Sequence, residues 1–245
     1  MKELLKNILY TPLFNLLVFF SWLVPGHSIG WAIILLTIVV RIILWAPNNK
    51  ALKSQLYMRS HQDELKKLNE RYENPQERAK AQMAYYKEHG INPMAGCLPM
   101  LIQLPILYIL YMVFIAGLHD IRPDLLYSFT PHLDTVNAQF LGINLAGKDR
   151  FFLPVLAALL QFAQTRFNQK LMPIPTGKND PAAMMTKQMM YLFPAMTYFI
   201  GSTLPAGLSL YWATTTLFQI GQQAYTTKKF VAKSPKGVEV TVRKK

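Results

Sequence analysis

The sequence is poor in the residues on which catalytic and redox sites depend. Of its 245 residues one is a cysteine, Cys97, which excludes an internal disulfide and a cysteine-rich metal cluster. We interpret Cys97 as a buried structural thiol. Neither a phosphate-binding glycine loop nor an HExxH zinc motif occurs. These absences predict a protein that is not an enzyme and that holds no cofactor and no metal.

Negative charge is also scarce. Acidic residues number 13 against 26 lysines and arginines, which gives a formal net charge of +13. This imbalance favours contact with something anionic, and the candidates are lipid headgroups, RNA and acidic protein segments. DNA is not among the partners that we predict.

Acidic residues are absent from five apolar runs, four of them about 17 to 22 residues long and the fifth slightly short. A helix crosses the hydrocarbon core of a bilayer with about 20 such residues. Pro205 follows the fourth run and predicts a tight hairpin between the last two helices. We therefore predict an all-α polytopic membrane protein with transmembrane helices at 28–47, 97–118, 151–172, 188–204 and 206–225.

The segments between the runs differ in lysine and arginine content. Nine of these residues lie in 48–96 and seven in the tail 226–245, whereas 119–150 holds three. By the positive-inside rule, 48–96, the loop 173–187 and the basic tail are cytoplasmic, and 119–150 is an extracytoplasmic loop. The carboxyl terminus is therefore predicted in the cytoplasm.

Residues 48–96 carry six acidic residues besides the nine basic ones, largely at helical spacings. They predict a cytoplasmic helical hairpin that turns at Asn74 and Pro75, because a residue before proline avoids helical geometry and proline suits a first helical turn. We interpret the histidines, including His61 and His89, as solvated surface residues. A thin apolar seam is predicted from Leu52, Leu56, Leu65, Leu68, Met83 and Tyr86.

Residues 1–27 contain an apolar run, 8–24, that no small-residue cleavage site follows. On a helical projection most of its leucines share one face, while Asn15 and Ser21 lie away from the centre of that face. This favours an amphipathic interfacial helix on the outer surface. A sixth span, with its amino terminus inside, is the alternative.

Arg41 interrupts the first run. An arginine near the centre of a membrane helix costs about 2.5 to 3.5 kcal/mol, so it requires a partner, water or a route to the interface. Snorkelling to the nearer interface is one alternative, and interhelical hydrogen bonds without a cavity are another. We predict instead that polar helix faces converge on a hydrated groove in the inner half, open to the cytoplasm. The residues at matching depth are Thr37, Gln103, Gln161, Gln164, Tyr211, Thr215 and Gln219, with Thr165, Asn168 and Gln222 extending the same stripes.

Four stretches, in this order and with the charged hairpin between the first two, make the chain resemble the YidC/Oxa1/Alb3 membrane protein insertases. They are LLTIVVRIIL (35–44), GCLPMLIQLPILYILY (96–111), LPAGLSLYW (204–212) and FQIGQQ (218–223). The resemblance covers roughly residues 8–230 and is to the short bacterial form, without a large periplasmic domain.

The resemblance implies a bacterial inner-membrane insertase with five conserved spans around an inward-open hydrophilic groove. Nascent membrane proteins are the implied substrates, lipids surround the protein, and the ribosome and a Sec-type channel are candidate partners. A small secondary transporter or channel for an anionic solute is the alternative function. The groove residues that the resemblance assigns are Arg41, Thr37, Gln103, Tyr211 and Trp212, with Gln161 or Gln164 from the third span.

Overall fold

The computed structural model describes residues 6–92, 98–119, 123–133, 135–171 and 181–233. Cys97, residue 172 at the end of the third predicted span, residues 173–180 of the predicted cytoplasmic loop and most of the basic tail, 234–245, lie outside the described residues. A π-helical turn, Lys6–Tyr10, precedes the first α-helix. The helices are α1 (Thr11–Leu23), α2 (Ile29–Ile43), α3 (Trp45–Ser60), α4 (Gln62–Arg71), α5 (Pro75–Glu88), α6 (Leu98–His119), α7 (Phe152–Leu171), α8 (Pro181–Thr203) and α9 (Ala206–Lys233). Short 3₁₀ turns lie at Pro25–His27 and Pro123–Leu125, and β1 (Gln139–Phe140) pairs with β2 (Ile143–Asn144) in an antiparallel hairpin.

The described chain is therefore mainly helical, as the sequence predicts, with one small β-hairpin in addition. A continuous apolar core joins α1, α2, α6 and α9 to the segment before α7. Fully buried side chains come from each of these parts, for example Phe14, Leu36, Leu110, Leu145 and Leu208. We call the end of the bundle at the start of α2 and α9, which residues 123–133 and 135–149 cover, the loop end.

Among the described helices, none is by itself long and apolar enough to pass as a membrane span, whereas α2 and Trp45–Met58 pass together as a pair bent by 61°.

The bend ends the first predicted run earlier than expected, at Ile43 rather than residue 47. Pro47 explains the break. Proline has no backbone N–H, so it cannot donate to the carbonyl of Ile43, four residues earlier, and α2 cannot continue through it unchanged.

The last two helices do not form the tight hairpin that Pro205 predicts. The turn itself lies where expected, since α8 ends at Thr203 and α9 begins at Ala206. However, α8 packs mainly against α7, and α9 packs more extensively against α7 and α2 than against α8. Near the turn, Ser209 Oγ donates to the carbonyl of Gly201 at 3.2 Å, and a Cβ on Gly201 would lie 2.6 Å from that hydroxyl.

The helical hairpin, α3 to α5, turns at the predicted residues. Asn74 is extended and its side chain accepts from the N–H of Gln76 at 2.9 Å, which caps α5 at Pro75. Leu56 and Leu65 are buried, as the predicted seam requires, but Met83 is 60% exposed and does not belong to it.

Aromatic side chains occupy the place that the seam assigns to Met83. The rings of His61 and His89 are half-buried and lie 5.4 Å apart, so the prediction that they are solvated is wrong. Tyr85 stacks on His89, with centroids 4.0 Å apart, and its hydroxyl donates to Glu64. This hydrogen bond holds the pKa of the Glu64 carboxyl below its ordinary value, while burial and the same carboxylate raise the pKa of Tyr85.

The first helix buries the polar residues that we placed away from its apolar face. Asn15 is 4% exposed and Ser21 is fully buried. Asn15 donates to the carbonyls of Thr11 and Leu125, both at 2.8 Å, and accepts from the N–H of Tyr127 and the hydroxyl of Thr130, both at 2.7 Å. Its amide thus binds α1 to the loop end. Other residues of this helix are apolar and exposed, and they include Phe19, Trp22 and Leu23.

Backbone hydrogen bonds fix the rest of the loop end. The N–H groups of Ala206 and Gly207 donate to the carbonyls of Gly147 and Leu145, at 2.8 and 3.0 Å. Asp149 accepts from the first N–H groups of α7, which is the cap that a helix amino terminus requires. Burial of this carboxyl acts to raise its pKa, but these N–H groups hold the pKa below the ordinary value.

Candidate functional site

Arg41 lies inside the bundle, on the buried face of α2. It is 4% exposed, and its neighbours on that face, Ile33 and Thr37, are at most 1% exposed. The side chain therefore turns towards the other helices and does not reach out along the helix surface. Snorkelling does not describe its position.

The first partner of Arg41 comes from α6. Arg41 Nη2 donates to Gln103 Oε1, and Gln103 Nε2 donates to the hydroxyl of Tyr211 at 2.6 Å. Tyr211 lies on α9, is 1% exposed and packs edge-on against Phe114 of α6, with ring centroids 6.1 Å apart. Gln103 thus joins the guanidinium to the phenol by using both ends of its amide.

The second partner comes from α9. With the Gln219 amide oriented so that its oxygen faces Arg41, this oxygen accepts from Nη1 at 2.9 Å and from Nη2 at 3.3 Å. The other end of the amide lies 2.9 Å from the Gln164 amide on α7. We call Gln103, Gln164 and Gln219 the amide cluster.

The four remaining predicted groove residues stand apart from these contacts. The hydroxyl of Thr37 donates to the carbonyl of Ile33 at 2.6 Å, within its own helix. Gln161 and Trp212 are half-buried, and the carbonyl of Gln161 accepts from Thr165 at 2.8 Å. Thr215 is buried, and its hydroxyl has no hydrogen-bond partner among the described residues.

A further polar layer lies beyond the amide cluster, towards the bend between α2 and α3. Gln222 donates to the carbonyl of Trp45 at 3.1 Å, and the Thr226 hydroxyl donates to Asn49 at 2.7 Å. Gln223 donates to Asn168 on α7. The periodicity identified Gln222 and Asn168. It did not identify Trp45, which acts through a backbone carbonyl, or the pair of Thr226 and Asn49, because Asn49 lies beyond the apolar run.

The electrostatics of the site follow from its neutral partners. Two amide oxygens offer four lone pairs to the five N–H donors of a guanidinium, and neither carries a negative charge. Within the described residues Arg41 forms no ion pair, and no group of three His, Cys, Asp or Glu side chains is placed to hold a metal ion. The arrangement keeps one positive charge in a shell of amides, which suits the attraction of an anionic group.

Residues Gly26 to Gly30 match the letters of the GxSxG nucleophile motif, so an interpretation of the sequence as free of this motif is wrong. In hydrolases this serine stands on a sharp turn between a strand and a helix. Here Ser28 follows a 3₁₀ turn and precedes α2. The nearby His27 ring lies 3.3 Å from the carbonyl of Ser21. The context of a nucleophile is missing, so we assign the motif no catalytic role.

Comparison with known proteins identifies relatives that cover most of the chain. Residues 19–233 match the family model described as 60Kd inner membrane protein. The chain is similar to the membrane protein insertase YidC of Fusobacterium nucleatum, at 38% identity over 82% of this chain and 87% of the relative. It is also similar to the YidC of Francisella tularensis subsp. novicida, at 36% identity over 94% of this chain and 40% of the relative.

A solved structure, described as an active YidC insertase crystal structure with the first transmembrane domain resolved, has a similar fold. The TM-score is 0.60 at 27% sequence identity, over 91% of this chain and 50% of the solved one. The chain thus spans half or less of that structure and of the Francisella protein, and most of the Fusobacterium protein.

Proposed function

Because this chain belongs to the 60Kd inner membrane protein family, we propose that it is a membrane protein insertase. The single observation that carries the proposal beyond the relatives is the contact of Arg41 with the amide cluster, in which three helices surround a cation with neutral partners. A buried charge without an opposite charge is costly to the stability of the fold, so a purely structural role does not explain this arginine.

We place the protein in the bacterial inner membrane with α2, α6, α7, α8 and α9 as its spans. In this topology the helical hairpin and the tail are cytoplasmic and the loop end faces outwards. The large number of exposed apolar side chains on these helices supports the assignment, since monomeric soluble proteins rarely expose contiguous apolar surface. Examples are Ile42, Tyr108, Leu159, Phe199 and Leu217, each between 58% and 66% exposed.

The mechanism that we propose separates the polar and apolar parts of a nascent membrane protein. Its polar tail is held near Arg41 and the amide cluster, where acidic residues are attracted to the guanidinium. Its apolar helix moves directly into lipid, driven by about 25 cal/mol for each Å² of apolar surface that leaves water. This step requires no nucleotide. Arg41 itself is almost fully buried in the structure. The hydrated, inward-open groove is therefore a part of the proposal and not an observed cavity.

The partners follow from charge and topology. The basic tail is a candidate contact for the ribosome, since basic segments are attracted to phosphate, and for anionic lipid. A Sec-type channel is a further candidate. A transporter or channel for an anionic solute is not favoured, because the relatives are named as insertases.

The test compares Arg41→Ala with Arg41→Lys in a strain depleted of its own insertase. Membrane insertion of a substrate with an acidic tail should fall strongly with alanine and partly with lysine, which keeps the charge but not the planar donor geometry. Thr214→Ala, on the half-buried face of α9 where the hydroxyl donates only to its own helix at 2.8 Å, is the control.

Full insertion with Arg41→Ala would reject the role of the charge. Crosslinks from cysteines at Gln103 and Thr215 to a stalled nascent chain would locate the substrate. Uptake of an anionic solute by the purified protein in liposomes would favour the transporter instead.

A further inference from the structure

One face of α2 is exposed and extends to the loop end. Trp31 and Ile42 are 52% and 58% exposed, whereas Ile33 and Leu36 are fully buried. Trp31 and Ile42 are eleven residues apart, close to three helical turns, so they lie on one face. In the topology proposed above this face meets lipid, and Trp31 stands at its outer end, where tryptophan is enriched in membrane proteins.

The β-hairpin is fixed against this end of α2. The ring of Phe140 packs edge-on against Trp31, with centroids 5.4 Å apart. It also occupies the space beside Gly30, where a Cβ would lie 2.2 Å from the Phe140 ring. In addition, the N–H of Ile29 donates to the carbonyl of Asn137 at 3.0 Å. The position of the hairpin tip relative to Trp31 is thereby set.

The tip holds a residue that the turn does not favour. Leu141 has φ +51° and Gly142 has φ +80°, the left-handed pair that two-residue hairpins usually build from Asn-Gly or Asp-Gly. Leucine is uncommon at positive φ. Its side chain is 78% exposed, so packing within the protein does not offset the strain. Strain of this kind persists where function requires the side chain.

We propose that the β1–β2 hairpin is a lipid-binding element that inserts Leu141 into the outer leaflet beside Trp31. The proposal rests on the membrane topology proposed above. Lipid is the occupant that the observations favour, because Leu141 is an exposed apolar side chain on a hairpin whose Phe140 packs against Trp31 of the exposed face of α2. The same outer level carries Phe151 and Phe152, 76% and 57% exposed, at the start of α7. Arg150, exposed beside them, suits anionic headgroups.

Spin labels on the full chain test the proposal. Leu141→Cys, Asn144→Cys and Leu159→Cys are each made in a Cys97→Ser background, labelled with a nitroxide and reconstituted in phosphatidylethanolamine–phosphatidylglycerol vesicles. Collision of each label with oxygen, which is enriched in lipid, is compared with collision with a water-soluble nickel chelate. We expect the oxygen-to-nickel ratio at position 141 to exceed that at 144 severalfold.

The two other positions are matched controls. Asn144 is an exposed residue of the same hairpin, and Leu159 is a 61% exposed residue in the middle of α7. A lipid-like ratio at 159 with a water-like ratio at 141 would reject the hairpin proposal alone. Water-like ratios at both would reject the membrane assignment as well. A label at 141 that neither reagent reaches would reject lipid in favour of a protein partner or a second copy.

A second measurement needs no substitution. A phospholipid with a photoactivatable group near the top of its acyl chain is added to the unmodified protein in the same vesicles, and the crosslinked residues are identified by mass spectrometry. Crosslinks at Leu141, and none at Asn144, are expected. Crosslinks at Leu159 without any at Leu141 would overturn the proposal even if the labelled variants did not fold.

Discussion

Asn15 and Arg41 are both buried polar residues on apolar helices, but their surroundings differ. At the loop end, the Asn15 amide makes four hydrogen bonds and is fully satisfied. In the other half of the bundle, Arg41 has neutral partners, and the buried hydroxyls of Thr215 and Thr216 have no partner among the described residues. Polar groups at the loop end hold the fold together. Those around Arg41 are the groups that the proposed insertase function would use to bind another molecule.

The largest effect should come from removing Asn15. Asn15→Leu leaves the N–H of Tyr127 and the carbonyl of Leu125 buried without partners, and each such group costs about 1 to 3 kcal/mol. We expect the free energy of unfolding to fall by about 2 to 4 kcal/mol. Thermal unfolding in detergent measures this loss. Asn144→Leu, at an exposed site of the same loop end, is the control, and an equal loss there would show that burial of the Asn15 amide is not the cause.

Gly30→Ala should also weaken the loop end. A methyl group at this position overlaps the Phe140 ring, and overpacking typically costs about 1 to 3 kcal/mol. The double variant Gly30→Ala with Phe140→Ala tests the cause, because the methyl group then enters the space that the ring leaves. If the two single losses simply add, the overlap with Phe140 is not the reason.

Arg41→Met should change the free energy of unfolding in the opposite direction and make the protein more stable. It removes a buried cation that lacks a negative partner and keeps a long apolar side chain, so we expect about 1 kcal/mol of added stability, as is common when buried charges are replaced. Insertion of an acidic-tailed substrate should fall in the same variant. Higher stability with lost insertion would show that the protein keeps this destabilising charge for its function. A destabilised variant would show instead that Arg41 stabilises the fold as Asn15 does.

The smallest effect concerns the helical hairpin. The Tyr85 hydrogen bond lowers the pKa of Glu64, so its stabilising contribution is present above the ordinary carboxyl pKa and is lost as the pH falls through the lowered value. Tyr85→Phe should return the pKa of Glu64 towards its ordinary value. Carbon NMR of labelled glutamate in the full chain, assigned with Glu64→Gln, measures the pKa of Glu64 with and without the Tyr85 hydroxyl. An unchanged titration would reject the hydrogen bond as the cause.

The sequence predicted the helical character, the turn at Asn74 and the meeting of Arg41 with Gln103, Gln164, Tyr211 and Gln219. Periodicity can be read within a single helix. The cost of polar groups in apolar runs indicates that polar residues at the same depth on different helices lie together. The loop end could not be predicted in this way. Its hydrogen bonds join residues more than one hundred positions apart, as between Asn15 and Leu125, and its turn holds a leucine where pattern rules expect asparagine.

The prediction of the apolar seam in the helical hairpin was partly wrong, for a related reason. Leucine and methionine spacing identifies a possible apolar face, but it does not rank aromatic rings against it. Tyr85 and His89 stack at 4.0 Å and fill the interface that Met83 was expected to share. The turn between the two helices was predicted correctly, but the face through which they pack was not.

The bend at Trp45 has a mechanical consequence. Its indole lies between Phe218 and Tyr225 of α9, with ring centroids 5.9 Å away in each case, and its carbonyl accepts from Gln222. The base of the helical hairpin is therefore clamped to the helix that carries Gln219. Because of these contacts, we expect a displacement of the distant tip of the helical hairpin to move α9 as well. The moved part of α9 lies within one turn of the Gln219 amide that faces Arg41.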